Sequence, residues 1–381
     1  MLILEARDRV GGRAWTRRMA GLEVPVELGA EFIHGRAQAT LSLLKRARMT
    51  AVRSVRTQRY AAGGRLRPVD SFALAQKAMR DTSLLQERDL SFADYLARQK
   101  LEPRTKNFAR MMVEGFDAAD PALASAKAIA EEWGGGDALL GPQPRLREGY
   151  GPALEWLAQS IVARGGRLRM QSPVLRVRWR RGAATVLTES DRFTAEQVII
   201  TLPLGVLQSR AVLFSPGLDK GKALKQLVSG PVVKAALRFA EPFWEKHRGV
   251  AFFHSPRAPF PTFWTPLPAR VPLLIAWAGG PKADRLSADP LPEVVRSLKS
   301  LFARVPEPDA AYVQDWRRDP FACGAYSYVR VDGEGAREAL RRPLADTLFF
   351  AGEATNLDGE AGTVSGALQS GERAARELLR A

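Results

Sequence analysis

Short apolar runs stand at both ends of the chain and in its middle, with stretches of helical repeat between them. Leu2-Ile3-Leu4 has the pattern of a short buried strand, ends in an acid, Glu5, and leads into a loop with the paired glycines Gly11 and Gly12. Over residues 37–145 the apolar positions recur near a period of roughly 3.6, as in Leu41, Leu43, Leu44 and later Phe92, Tyr95, Leu96, which predicts an all-helical block. Beyond Gly151 the pattern becomes α/β, with a helix over 152–163 and strands over 167–170, 174–179, 184–188 and 197–201. In the second of these, Val174, Arg176 and Arg178 alternate with Leu175, Val177 and Trp179, the period of a half-buried antiparallel strand. Two further strands, 232–239 and 273–278, lie in a region dense in Pro and Trp, and a strand at 347–351 precedes a helix from about 362 to 380. The α/β pieces are therefore discontinuous, and two interwoven domains are expected.

Composition narrows the class. A chain of 381 residues can bury two cores, since a single domain usually holds roughly 100–200 residues. No apolar run reaches the roughly 18 residues of a membrane span, so no integral membrane protein is expected. The single cysteine, Cys323, excludes an internal disulfide framework, and three scattered histidines give no metal-ligand spacing. With no visible signal peptide, a reducing cytoplasm is the expected location. Lys and Arg outnumber acids 57 to 41, a net charge of +16, and the Arg, Ala and Gly bias fits a GC-rich bacterial genome. The basic residues are dispersed: only Arg17-Arg18, Arg176 to Arg181 and Arg341-Arg342 are locally dense, none with interleaved aromatics, so no specific nucleic-acid partner is expected.

Several segments carry candidate chemistry. A strand ending in an acid is what a dinucleotide fold places at the adenosine ribose, although Glu5 alone reads better as a salt-bridged surface acid; the Arg, Val, Gly, Gly, Arg that follow through Gly12 and Arg13 sharpen the pattern. Lys234 interrupts the apolar run Val232-Val233-Lys234-Ala235-Ala236-Leu237, and a buried lysine is costly without a partner. Other segments of note are Glu27-Leu28-Gly29-Ala30-Glu31-Phe32-Ile33-His34-Gly35, the strand Val198 to Thr201 with its Pro203-Leu204-Gly205 turn, Trp316 to Tyr328, and Phe349 to Asn356 followed by Ala361 to Ala367.

Taken together, these segments resemble the flavin-containing amine oxidases of the monoamine oxidase, polyamine oxidase and histone demethylase type, over nearly the whole chain. The resemblance implies an α/β fold: a Rossmann-like FAD-binding domain, formed by 1–36, 146–225 and 345–381, interleaved with an α+β substrate domain formed by 37–145 and 226–344. Glu5, flanked by Ala6 and Arg7, would bind ribose, and Gly12 and Arg13 the FAD pyrophosphate. Gly29, Ala30, Glu31 and Phe32 would pass against the flavin ring. Glu31 is either a loop charge or a carboxylate drawing a cationic amine, and His34 either packs or touches the rim. Val174 falls where backbone binds adenine, or is simply a buried strand valine. Lys234 would contact flavin N5 through a water. Trp264, after Phe263, lies beside that site or in an aromatic core pair, and Tyr326 would form an aromatic wall facing the flavin. Gly352 and Glu353 would meet the ribityl and phosphate end. Gly362, Thr363 and Val364, at a helix start, would stabilise negative charge on the reduced ring. Thr363 stands where monoamine oxidases have a second cage tyrosine.

Monoamine oxidases attach FAD covalently through a cysteine at the position of Ala325, so FAD is expected to be noncovalent here, with Cys323 a structural thiol. The implied reaction is oxidation of an amine to an imine that hydrolyses to a carbonyl product, with oxygen reduced to hydrogen peroxide. Its partners are a small-molecule amine and oxygen. A same-fold desaturase or porphyrinogen oxidase, and a cofactor-poor binding protein, are the alternatives. The glycine turn of a dinucleotide fold belongs about 20 residues before the ribose acid. Only four residues precede Glu5, so the first βα unit is expected either upstream of Met1 or absent from a fragment.

Overall fold

The largest sheet has seven strands, in the order Ala310–Asp315, Val232–Arg238, Leu273–Gly279, Thr262–Trp264, Phe252–His254, Gln58–Ala62 and Arg65–Val69. The computed structural model describes residues 1–134 and 143–381. Val232–Arg238 lies between two antiparallel neighbours and is buried from Val232 to Leu237, which is why it reads as an unbroken apolar run rather than an alternating one. Its register sets Lys234 opposite Trp277 on one side and Gln314 on the other.

Residues 37–145 depart from the all-helical expectation. Gln58–Ala62 and Arg65–Val69 form an antiparallel hairpin closed by Gly63 and Gly64, both at positive φ (57° and 71°). A two-residue turn with positive φ at both positions matches the twist of the flanking strands, and glycine adopts it without strain. Gln58–Ala62 then pairs in parallel with Phe252–His254, so this part of the block completes a sheet built mainly from later sequence. A two-residue strand, Ala51–Val52, also pairs antiparallel with Arg145–Leu146, and the other elements described in the block are helices. Asp70 and Ser91 cap the helices Ser71–Ala78 and Phe92–Arg98, each side chain accepting from the amide three residues on, and Pro103 opens the helix Pro103–Gly115. Phe72, Phe92, Tyr95, Met112 and Trp133 form the core of this layer. Residues 135–142 of the expected block lie outside the described residues.

The α/β ends contribute two parallel pairs, Leu2–Leu4 with Arg167–Arg169 and Val198–Ile200 with Leu348–Phe350. A four-stranded sheet contains Arg176–Arg180 and Ala183–Leu187 in antiparallel pairing, as the alternation predicted. The helices Tyr150–Val162 and Val364–Leu378 stand close to their expected positions. Among the described residues no helix is long and apolar enough to cross a membrane.

Candidate active site

Lys234 rises from the middle of the seven-stranded sheet and is fully buried. Its ammonium donates to the Gly29 carbonyl at 3.1 Å and to Glu31 Oε2 at 2.7 Å, and lies 5.3 Å and 5.9 Å from the ring centroids of Trp264 and Trp277. Glu31 takes two more partners: the Trp264 indole donates to it at 2.9 Å, and Arg145 forms an ion pair at 2.8 Å. Burial alone would push the Glu31 carboxyl up; Lys234 and then Arg145 outweigh it and hold the group below the usual carboxylate range. Glu31 is thus neither a loop charge nor a free carboxylate offered to a cation. It is the shared counterion of two cations. Arg145 itself lies 4.3 Å from the Phe32 ring centroid, and its guanidinium donates to the carbonyls of Thr265 and Leu267. The segment carrying Gly29 is tightly placed: the Ala30 amide donates to the Arg13 carbonyl at 3.1 Å, and a Cβ on Gly29 would overlap that same carbonyl.

A second knot forms around Glu353, whose carboxylate is buried. Arg13 bonds Oε1 at 3.0 Å, while the Ser327 hydroxyl (2.7 Å) and the Gly362 amide (3.2 Å) bond Oε2. Burial raises this carboxyl, and Arg13 with Arg337 more than reverses it, so the group is held below the usual range. Arg13 also donates to the Ala325 carbonyl, which joins the N-terminal loop to the segment ending in Tyr326. The Tyr326 hydroxyl donates to the Phe116 carbonyl at 2.7 Å, and its ring lies 3.5 Å from the position a Cβ on Gly362 would take. The site residues proposed around the ring position are therefore contiguous: Gly29 and Glu31 with Lys234 and Trp264 on one side, Arg13, Glu353, Tyr326 and Gly362 on the other.

A sequence profile of the family described as flavin containing amine oxidoreductase matches residues 1–379. The chain belongs to this family. It is 27% identical to mouse lysine-specific histone demethylase 1B over 99% of its own length and 49% of that protein's. It is 28% identical to polyamine oxidase 4 of Oryza sativa subsp. japonica, covering 98% of this chain and 82% of the oxidase. The chain spans about half the length of the mouse demethylase. Among solved structures, putrescine oxidase bound to putrescine superposes with a TM-score of 0.82 at 22% identity, covering 99% of this chain and 93% of that one. Cyclohexylamine oxidase from Brevibacterium oxydans IH-35A superposes with a TM-score of 0.80 at 19% identity, covering 100% and 93%. The fold is that of these amine oxidases.

The flavin implied by membership of this oxidoreductase family asks for positive charge at a pyrophosphate and for backbone that can be approached closely. Arg13 offers the first. Gly12 (φ +55°) and Gly352 (φ +127°) offer the second, since each has open space where a Cβ would stand and a conformation that other residues rarely adopt. Thr363 caps the 15-residue helix Val364–Leu378, its hydroxyl oxygen accepting from the Gly366 amide at 3.0 Å and donating to the Glu360 carbonyl at 2.7 Å. The donor set fits the group. Glu5 lies half-buried with Oε1 accepting from the Arg7 amide at 2.8 Å, and its own carbonyl accepts from Ser172, two residues before Val174, so the strand acid and the Val174 segment are neighbours. Arg7 makes a bidentate pair with Asp319 at 3.0 and 2.6 Å, and Val174 packs at the edge of the core formed by Val177, Ile200 and Phe350. Ala6 is half-buried between them, and Val364 opens the terminal helix.

Four residues of this constellation have no local signal in the sequence: Arg145, Trp277, Ser327 and Arg337. Each acts through a partner distant in sequence. Only the β-register that sets Trp277 opposite Lys234 was within reach of pattern reading.

Proposed function

We propose that this chain oxidises an amine, primary or polyamine, at the carbon next to nitrogen, with noncovalently held FAD as electron acceptor and oxygen as final oxidant. Imine hydrolysis to a carbonyl and release of hydrogen peroxide complete the reaction. The observation that carries the reading is the burial of Lys234, held by Gly29 and Glu31 and flanked by two indoles. A cation in an apolar interior is costly unless paired, and here Lys234 shares its carboxylate with a second cation, Arg145.

Arg13, Gly12, Gly352 and Glu353 would hold the dinucleotide, and Ala325 in place of a cysteine supports a noncovalent complex. The flavin, when bound, supplies the hydride acceptor. The protein supplies position and field. Lys234 and Arg145 face the charge of Glu31 and, near Lys234, the buried Glu27, whose carboxyl burial pushes up to about 7. With Glu27 protonated that end of the site is net positive, which would disfavour an ammonium there and favour the neutral amine from which hydride can leave. Tyr326, its hydroxyl fixed on the Phe116 carbonyl, presents a ring whose orientation is set and can bound the substrate.

FAD-loaded protein mixed anaerobically with a panel of primary amines, diamines and polyamines should lose its oxidised flavin absorbance with at least one of them. Admitting oxygen should then restore the absorbance with one peroxide per turnover. An oxidised flavin that no amine on the panel bleaches would remove the reading.

A further inference from the structure

The two faces of the four-stranded sheet differ in kind. Its strands run in the order Arg192–Ala195, Ala183–Leu187, Arg176–Arg180 and Leu213–Ser215. Val177, Trp179, Val186 and Phe214 turn inward, to the core that holds Ile200 and Phe350. The alternation then puts Arg176, Arg178 and Arg180 on the outer face, and the register adds Arg192, which stands with Arg176 on either side of Leu187. Arg178, Arg180 and Arg192 are exposed, and Arg176 is half-buried.

None of these four guanidinium groups has an acid or any other side-chain partner among the described residues. The positions registered against the three on the central strand are Leu187, Thr185, Ala183, Leu213 and Ser215, none of them acidic. Acids stand only at the margins. Asp191, in the turn before Arg192, takes Arg169 at 2.6 Å, and Arg181, in the turn after Arg180, takes Asp346 at 2.9 Å. Alternate residues of a strand stand roughly 6.6 Å apart and neighbouring strands roughly 4.8 Å, so Arg176 to Arg180 form a line about 13 Å long with Arg192 about 10 Å to its side. Like charges at such spacing repel, and cross-strand acids, which would relieve the repulsion, are missing from the face.

The chemistry of the face selects its partner. Guanidinium groups grip phosphate bidentately, and the hydroxyls of Thr185, Thr194 and Ser215, registered beside Arg178, are of the other kind that commonly bonds a phosphate backbone. No aromatic residue occupies a registered position of the outer face; the Trp179 indole is committed to the Pro216 carbonyl at 2.8 Å. Without rings there is no platform for stacking unpaired bases and no aromatic anchor for a membrane interface. We infer that this face docks the phosphate backbone of a nucleic-acid duplex, without reading its sequence, through Arg176, Arg178, Arg180 and Arg192. That agrees with the expectation of no specific nucleic-acid partner, and the net charge of +16 adds a long-range attraction of the same sign. None of these residues belongs to the site around Lys234, so the inference does not rest on the amine oxidase reading.

The test measures fluorescence anisotropy of labelled 20-base-pair duplexes of mixed sequence, one of DNA and one of RNA, with the full chain and FAD in the buffer, over 50–200 mM salt. The wild type should bind at least one duplex with a log–log salt slope of about −3.6, the value for four phosphates. A second sequence of equal length should bind equally well, and the tighter of DNA and RNA names the source of the backbone. Arg178→Ser with Arg180→Ser should lower the affinity at 100 mM salt at least tenfold and bring the slope to about −1.8. Arg65→Ser with Arg67→Ser, which removes the same charge from an exposed strand of the seven-stranded sheet, should stay within about twofold. Arg192→Ser should reduce the slope by about 0.9 and serves if the double variant does not fold. An equal loss in the two double variants overturns the inference, because net charge alone would then explain the binding. It is equally overturned if neither duplex binds, if single strands bind more tightly than duplexes, or if Arg178→Ser with Arg180→Ser abolishes binding to phosphatidylserine vesicles and spares the duplexes.

Discussion

Lys234 was legible in the sequence because a charge inside an apolar strand has to be explained, and its environment now says how the charge is kept. Two oxygens receive its protons, and two indole faces surround it. Replacing it by Met keeps much of the volume and removes the donor. Glu31 Oε1 would still hold Arg145 and the Trp264 indole while Oε2 loses the lysine, so the fold should survive with a lowered melting temperature. In FAD-loaded protein, Lys234→Met should slow amine-dependent flavin reduction or its reoxidation more than tenfold with FAD content nearly unchanged. Stopped-flow traces of the two half-reactions measure this. A tenfold loss is about 1.4 kcal/mol, a modest demand on one positioned group, and unchanged rates in both would make Lys234 structural. Glu31 was harder to read. Its segment pointed to the flavin, but nothing local announces that Arg145 returns to neutralise it, because an ion pair across the chain leaves no periodic trace.

At the scale of elements, strands that are buried on both faces or strictly alternating were readable, as Val232–Arg238 and Arg176–Arg180 show. The hairpin at Gln58–Ala62 and Arg65–Val69 was not, although Gly63-Gly64 is a hairpin signal. Its strands are short, Arg65–Val69 carries mostly exposed residues, and they sit among helices whose stronger period dominates the surrounding window. The start of the terminal helix was placed within two residues, and Thr363 stands there as its cap. Because the Thr363 hydroxyl satisfies the Gly366 amide and bonds the Glu360 carbonyl, Thr363→Ala should cost about 1 kcal/mol and lower the melting temperature, while Thr363→Ser should stay near wild type. A melting temperature unchanged by Ala would mean that water replaces the cap at no cost.

Across the whole molecule the site is a meeting of segments that only the complete fold brings together: Arg13 and Gly29 from one end, Lys234 and Tyr326 from the sheet and the stretch beyond it, Glu353 and Gly362 from the other end. A cofactor held this way is held by geometry that exists only in the folded state, so it should be lost when the fold is lost unless a covalent bond remains. Ala325 offers no sulfur for one. Its amide donates to the Gly230 carbonyl at 2.7 Å, and its carbonyl receives Arg13, so the position serves the backbone frame of the site. The one thiol, Cys323, is committed elsewhere: it sits at φ +50°, contacts the Pro320 carbonyl at 3.6 Å and packs at the edge of the core around Val206 and Phe350. Acid denaturation of FAD-loaded protein should therefore leave a colourless precipitate and all of the flavin in the supernatant, measurable by absorbance against the starting content. Before denaturation, free FAD at about a hundredfold excess over its dissociation constant should stabilise the fold by about 2.7 kcal/mol, because it binds the native state alone. Cys323→Ser should change neither result. Flavin that stays with the precipitated wild type and leaves with Cys323→Ser would show a thioether at Cys323, and the geometry around Ala325 would then have to open far enough to let that sulfur reach the ring.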